Sequence, residues 1–372
     1  MSLETLSKEN LNFYAPRFEV KIGEKKLNVD VSKEILDVTV SEKIDEGASF
    51  KLTLHDEFDM NTQKFKLLDD PLFTVGNIIT IDMGYGSKLL PMIMGKITSL
   101  EPSFFASEMP TLTIGGQDLS YDYMKRATPA RIFNEKTYSD IARTIAQEAG
   151  LLAVVDDTGE TAGKFEPSNH KNNNETYYAF LNRLKDEVRF TFDMRGQTMY
   201  FVKKGDDKKE ILTLELGKDI ISFRPTLKTT GLLAGVEVRG HNPRDPKTPI
   251  IGRAMAGSET NKEPGKITGS ELLAKKNAKA LPIKVITNVV VNSKEHADAI
   301  AKAELMKASD TLIEGEVECI GLPQIRTGVS IALDKMGELF SNKYYVTETT
   351  HTINDSGYRT RFSVKSDSVK KA

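Results

Sequence analysis

Five histidines and one cysteine are the residues best suited to bind a metal or act as a nucleophile in this 372-residue chain, and their spacing supports neither role. His55, His170, His241, His296 and His351 are scattered. No two stand four apart with a glutamate between them, so the helix-borne zinc pattern is missing. Cys319 is alone, which excludes an internal disulfide and any multi-cysteine metal site. It sits in the alternating stretch EGEVECIGLP, where a half-buried strand thiol is the expectation. There is no Gly-x-x-x-x-Gly-Lys phosphate loop and no Gly-x-Ser-x-Gly elbow. GYGSK at 84–88 reads as a hairpin turn. The chain has 53 acidic residues, but no pair stands out as a glycosidase-type acid and base. DEFD at 56–59 and DD at 69–70 read as solvated loop acids, and no Asp-x-Asp-x-Asp-Gly calcium loop occurs. NHKNNNE at 169–175 reads as a turn, with Asn174 capping the helix that follows. The expectation is therefore no catalytic residue, no cofactor and no metal.

Two rival readings need features of their own. A peptidoglycan hydrolase needs a carboxylate pair in a cleft, or a metal. A carbohydrate- or receptor-binding module usually offers aromatic platforms, and the chain has no tryptophan. A net charge of −2 gives no electrostatic reason to expect sequence-specific nucleic-acid binding. The N-terminal MSLETLSKENLNF lacks the apolar core of a secretory signal. No stretch reaches the roughly 20 apolar residues of a membrane span. These features predict a protein made in the cytoplasm that does not bind membranes by itself.

The elements that would position any site are mostly strands. FEVKIG, ILDVTVSEKI, SFKLTLHDEF, GNIITIDMGYG, MIMGKITSLEP and TLTIGG alternate apolar and polar residues at period two. The middle differs. NEKTYSDIARTIAQEAGL has Thr137 as N-cap with Asp140 three residues on, and Gly150 stops the helix. NETYYAFLNRLKDEV places Tyr177, Leu181, Leu184 and Val188 on one helical face, and a hairpin turning at Arg195-Gly196 follows. Strands return from 211, and Ser293 caps a further helix. The prolines and glycines of 241–282 suggest a long surface loop, with a short helix near GSELLAKKNA. The first six strands, with short gaps, imply an antiparallel barrel or sandwich. The division predicted is an arm at 1–16, this first β domain at 17–117, a helix and hairpin domain at 118–210, and a second β domain at 211–372. The class is mainly β (α+β), with antiparallel barrels flanking an α/β middle region.

One phrase occurs twice. In VGNIITIDMGYG (75–86) and TGVSIALDKMG (327–337), Gly76 falls on Gly328, Ile79 on Ile331, Ile81 on Leu333 and Asp82 on Asp334. The strands that follow also correspond, MIMGKITSLEP with YYVTETTHTI and TLTIGG with TRFSVK. Each copy is a three-strand meander of similar pitch, so internal pseudo-symmetry is expected. Three two-barrel chains would give six similar units around a ring.

Taken in order, these stretches resemble the phage late control protein D family, the baseplate hubs of contractile tails. FEVKIGEKKLNVDV followed by ILDVTVSEKIDEGASFKLTLHDE is similar to the family's opening. Gly116, Asp118 and Leu119 match its Gly-x-Asp-Leu exit from the first barrel. Phe180, Leu181, Arg183 and Leu184 match its Phe-Leu-x-Arg-Leu helix, although HKNNNETYYA replaces the usual preamble. Gly76 marks the first copy of the repeated phrase, and Gly321, Pro323, Gly328, Tyr345, Val346, His351, Gly357, Tyr358 and Thr360 mark the closing barrel. The same module is known as the hub of type VI secretion spike proteins and of extracellular contractile injection systems. The resemblance implies that the β domains at 17–117 and 211–372 are tube-like barrels, and that a homotrimer forms a pseudo-sixfold ring between a hexameric tail tube and a threefold spike. The implied partners are a tail tube protein, a central spike protein and baseplate wedge or tape-measure proteins. These positions are structural, with no catalytic residue among them. The chain ends at SVKSDSVKKA without an oligosaccharide-binding barrel or β-helix, so the spike tip is expected on a separate protein, or the sequence is a truncated form.

Overall fold

The computed structural model describes residues 13–44, 46–159, 170–188, 190–203, 210–242, 245–257, 266–269, 271–272, 282–291 and 293–370. The alternating stretches of the first half form β1 (Pro16–Ile22), β2 (Lys25–Lys26), β3 (Ile35–Lys43), β4 (Gly47–His55), β5 (Ile78–Tyr85), β6 (Lys88–Ser103) and β7 (Thr111–Asp118). Period two puts every other side chain inward. In β4, Ala48, Phe50, Leu52 and Leu54 are buried, while Lys51 between them is exposed. The arm expected at 1–16 lies, up to residue 12, outside the described residues.

The middle region is an α/β unit with its own core. It holds α1 (Tyr138–Glu148), β8 (Leu152–Val155), α2 (Tyr177–Val188), β9 (Phe190–Arg195) and β10 (Thr198–Lys203). Thr137 and Asp140 form the expected capping box on α1. On α2 the expectation of Asn174 as cap is corrected. Asn174 takes φ +61°, the left-handed turn conformation that asparagine tolerates, two residues too early. The Thr176 hydroxyl instead accepts the Ala179 N–H at 3.0 Å.

The second half continues with β11 (Thr213–Glu215), β12 (Ile220–Leu227), β13 (Gly235–Asn242), β14 (Asp245–Met255), β15 (Ile283–Val290), α3 (Lys294–Ser309), β16 (Ile313–Ile320), β17 (Ser330–Asp334), β18 (Asn342–Asn354) and β19 (Gly357–Ser366). The long loop expected at 241–282 is not what forms at its start. Residues 245–255 are a strand paired with β13, which also pairs in parallel with β15. Prolines suggested a loop because they cannot donate to a ladder. Here Pro246 and Pro249 lie on an edge strand, where one face of the ladder is free. The three strands and α3 bury Val236, Val238, Ala254, Ala297, Ala301 and Leu305 as a separate small core. A Cβ on Gly252 would lie 2.2 Å from the Ala297 carbonyl carbon, so the glycine lets the helix backbone touch the strand. Of the short helix expected near GSELLAKKNA, only residues 269 and 271–272 are described, and these are helical.

Thirteen strands form one sheet, in the path β12-β16-β19-β18-β3-β4-β7-β6-β5-β1-β2, with β11 and β17 branching from β18. Two halves of this sheet repeat at the level of hydrogen-bond register. Gly76 and Gly328 both have positive φ, +97° and +79°. Gly76 donates to the Ile97 carbonyl at 2.8 Å, and Ile97 donates back to Asn77 at 3.0 Å. Gly328 and Val346 repeat this, with Val346 donating back to Val329 and both bonds 3.0 Å. The β6–β7 ladder shifts between Ile97 and Ser99, and the β18–β19 ladder shifts between Val346 and Glu348. The β3–β4 ladder shifts between Ile35 and Asp37, and β12–β16 between Ile220 and Ser222. Bulges placed identically in two sheets are a stringent match, because each bulge resets which side chains face inward. Thus β3, β4, β5, β6 and β7 correspond to β12, β16, β17, β18 and β19. The last strands match one residue away from the alignment of TLTIGG on TRFSVK: Leu112 and Thr360, not Thr111, share a position. The symmetry fails at β1, which pairs antiparallel with β5, whereas β11 pairs parallel with β17.

Candidate functional site: the seam between the repeats

The two repeats meet where β18 of the second pairs with β3 of the first, Glu348 to Asn354 against Lys43 to Asp37. On one face of this seam the pairs are hydroxyls. Thr39 and Thr352 lie 3.1 Å apart, and Ser41 and Thr350 3.2 Å apart. Thr350 and Thr352 are half-buried on this face. Thr349 and His351 point the other way and are fully buried.

The buried face carries charge. Alternation along β3 puts Glu42 beside Val38 and Val40, all buried. A carboxylate there needs a cation. Arg326 supplies it: Nε donates to Glu42 Oε2 at 2.9 Å and a terminal nitrogen reaches Oε1. The same guanidinium donates to the carbonyls of Pro91 at 2.9 Å and Met92 at 2.7 Å. Arg326 belongs to the second repeat, and these four acceptors belong to the first. Burial alone would raise the Glu42 carboxyl, but the Arg326 guanidinium holds it below the usual range.

Beside this pair lies His351, in contact with the other closing-barrel positions. Its Nε2 is 2.9 Å from the Ile325 carbonyl, which only accepts, so Nε2 carries the proton. Nδ1 then accepts from the Tyr358 and Thr360 hydroxyls, each at 3.1 Å. Burial, and next the Arg326 charge, lower its pKa to about 4. The Thr360 hydroxyl also accepts the Leu322 N–H at 2.9 Å. The Tyr358 ring covers Gly321, where a Cβ would lie 2.0 Å from a ring carbon. Tyr85 of the first repeat donates to the Gly321 carbonyl at 2.8 Å. Burial raises the Tyr85 and Tyr358 hydroxyls well above their ordinary value, so both stay neutral donors.

The remaining family-motif positions lie elsewhere. Gly76 and Gly328 hold the paired turns described above, and Gly357 turns β18 into β19 at φ +100°. Gly116 allows close contact, since a Cβ would meet the Lys96 carbonyl oxygen at 2.2 Å. Asp118 is buried and accepts the N–H groups of Ala48 at 2.6 Å and Ser120 at 2.9 Å. It caps a single 3-10 turn that Leu119 begins. Phe180, Leu181 and Leu184 form the middle core. Arg183 pairs with Glu175 and caps the His170 carbonyl at 2.9 Å. Tyr345 is half-buried and lines a cleft with Lys43, Tyr178 and Lys185 between seam and middle unit. So Gly321, His351, Tyr358 and Thr360 converge at the seam, and the others support separate elements. Glu42, Arg326 and Tyr85 were not anticipated. Only Glu42 left a signal, as an acid on the apolar side of an alternating strand.

Chemically the seam is a fastener: Glu42 is held by Arg326 and His351 by the Tyr358 and Thr360 hydroxyls, while among the described residues the buried Thr349 hydroxyl has no hydrogen-bond partner. Cys319 is fully buried in β16, deeper than expected, and burial raises its thiol. Among the described residues no group of three or more His, Cys, Asp or Glu side chains is placed to hold a metal. Among them, too, no helix is long and apolar enough to cross a membrane.

The fold is that of phage tail proteins. The prophage MuSo2 43 kDa tail protein from Shewanella oneidensis is similar at a TM-score of 0.68 and 16% identity, covering 94% of this chain and 98% of that one. A tail protein from Neisseria meningitidis MC58 gives 0.67 and 12% identity, covering 95% and 97%. An E. coli component of the type VI secretion system, itself described as similar to T4 tail proteins gp27 and gp5, gives 0.51 and 10%, covering 95% and 77%. The family described as the Alg8 N-terminal domain matches residues 15–355, and the chain belongs to that family. A search of curated protein sequences finds no match.

Proposed function

We propose that the chain is a structural hub in the baseplate of a contractile phage tail or phage-tail-like particle, a counterpart of late control protein D. Three copies form a ring of six similar units, which joins a hexameric tail tube to a threefold spike. The observation that carries this reading is the duplication within one chain: two repeats share register, paired glycines and both bulge positions. A chain with two copies of one unit meets sixfold symmetry on one face and threefold on the other. The partners in this reading are a tail tube protein, a central spike protein and baseplate wedge or tape-measure proteins. The role is mechanical and no residue acts as a catalyst. The serine and threonine face of the seam suits a wetted lumen, and Thr53 with Thr113, 3.2 Å apart, extends it into β4 and β7. Multi-angle light scattering of the purified chain tests the stoichiometry. The expected mass is three times 41.4 kDa, and a monomer at every concentration would overturn the ring.

A further inference from the structure

The seam inside the chain has an unfilled counterpart. In the second repeat, the N-terminal part of β18 pairs with β17 and its C-terminal part pairs with β3. In the first repeat, the N-terminal part of β6 pairs with β5. From Ser99 to Ser103, however, β6 is paired only with β7 among the described residues. The counterpart of β3 is β12, which ends the sheet path; Ile220 forms an isolated bridge with Leu216, and from Ser222 to Leu227 β12 is paired only with β16 among the described residues. Among the described residues the repeat therefore has one junction made within the chain and one left as two open edges.

We propose that these edges meet between copies of this chain, β6 of one protomer pairing antiparallel with β12 of the next in the register of the internal seam. This rests on the ring proposed above and adds which strands join it and how. The seam pairs Thr350 with Ser41, Thr352 with Thr39 and Ile353 with Val38. The bulges fix the equivalences, so the new junction sets Glu101 opposite Thr226, Ser103 opposite Arg224 and Phe104 opposite Phe223. The side chains fit this register on both faces. One face pairs Leu100 with Leu227, Pro102 with Pro225 and Phe104 with Phe223, all apolar. The other places exposed Glu101 diagonally between exposed Arg224 and Lys228, a favourable cross-strand arrangement. Pro102 and Pro225 exchange no N–H bond, so the pairs on either side hold the ladder.

Exposure supports the same edge. Phe104 is 56% and Phe105 60% exposed in the single chain. Val75, the counterpart of buried Thr327, is 56% exposed. Glu42, which is charged within the chain, has Leu227 as its counterpart. The contact is head-to-tail, and each junction repeats the geometry of the internal one, as a closed ring requires.

Paired cysteines in the full chain test the register, with the one native thiol, Cys319, buried and out of reach. Glu101→Cys with Thr226→Cys, and separately Ser103→Cys with Arg224→Cys, are expected to give covalent dimers and trimers on mild oxidation. Ser99→Cys with Arg224→Cys is the mismatched control, about 13 Å out of register over four strand residues, and is expected to link at least tenfold less. Light scattering on the same samples separates the two claims. Trimer mass with equal linking by matched and mismatched pairs, or with none, overturns the junction and leaves the ring. A monomer at every concentration overturns both. Two matched pairs guard against one variant failing to fold.

Discussion

His351 is neutral in the fold because it is fully buried and, next, because the Arg326 charge stands near; its Nδ1 accepts hydrogen bonds from the Tyr358 and Thr360 hydroxyls. Its pKa falls from 6.5 to about 4, so the unfolded chain binds the proton more readily. Stability from this group is complete above pH 6.5 and is lost as pH falls towards 4. The full difference is about 3 kcal/mol. Thermal melts of the parent should lose stability across that window, and His351→Gln should flatten the profile there. Glu42, held below its ordinary value, adds losses only at lower pH. The ion pair makes a second prediction. Arg326→Leu leaves a buried carboxylate alone and should cost about 3–5 kcal/mol in urea denaturation. Glu42→Leu combined with Arg326→Met should recover part of that cost, because no charge is then left unpaired. His351, Tyr358 and Thr360 were marked in advance by the family resemblance, but the Glu42–Arg326 pair was not, and only Glu42 left a signal, as an acid on the apolar side of an alternating strand. An arginine in PQIRTG, more than 280 residues from its partner, carries no local pattern.

At the scale of elements, local rules served well. Period-two alternation located the strands, and Thr137, Asp140 and Ser293 marked helix starts that the structure uses. Gly76 and Gly328 announced the repeat because a turn with positive φ needs glycine on both occasions. Of the β13–β14–β15 unit only β14 was hidden, because this edge strand carries prolines that mimic a loop. That unit has its own core, which leads to a local prediction. Gly252→Ala would push the added methyl into the backbone of α3 and should cost about 1–3 kcal/mol. Limited proteolysis should then cut first within 235–309, while the strands of the large sheet stay protected. Equal loss of protection across the chain would show that the unit is not separable.

At the scale of the molecule, alternation predicts strands but not which strands meet. Pairing β18 with β3 spans about 300 residues, and no periodicity encodes it. That pairing turns two repeats into one sheet and, among the described residues, leaves one matching pair of open edges. The central claim is that each chain supplies two of six equivalent positions around an axis. Electron-microscopy class averages of the purified assembly viewed down that axis test it most directly. Closed rings with six lobes of two alternating kinds, repeating exactly every third of a turn, are the predicted result. Single-chain particles, or closed rings built from any number of chains other than three, would contradict it.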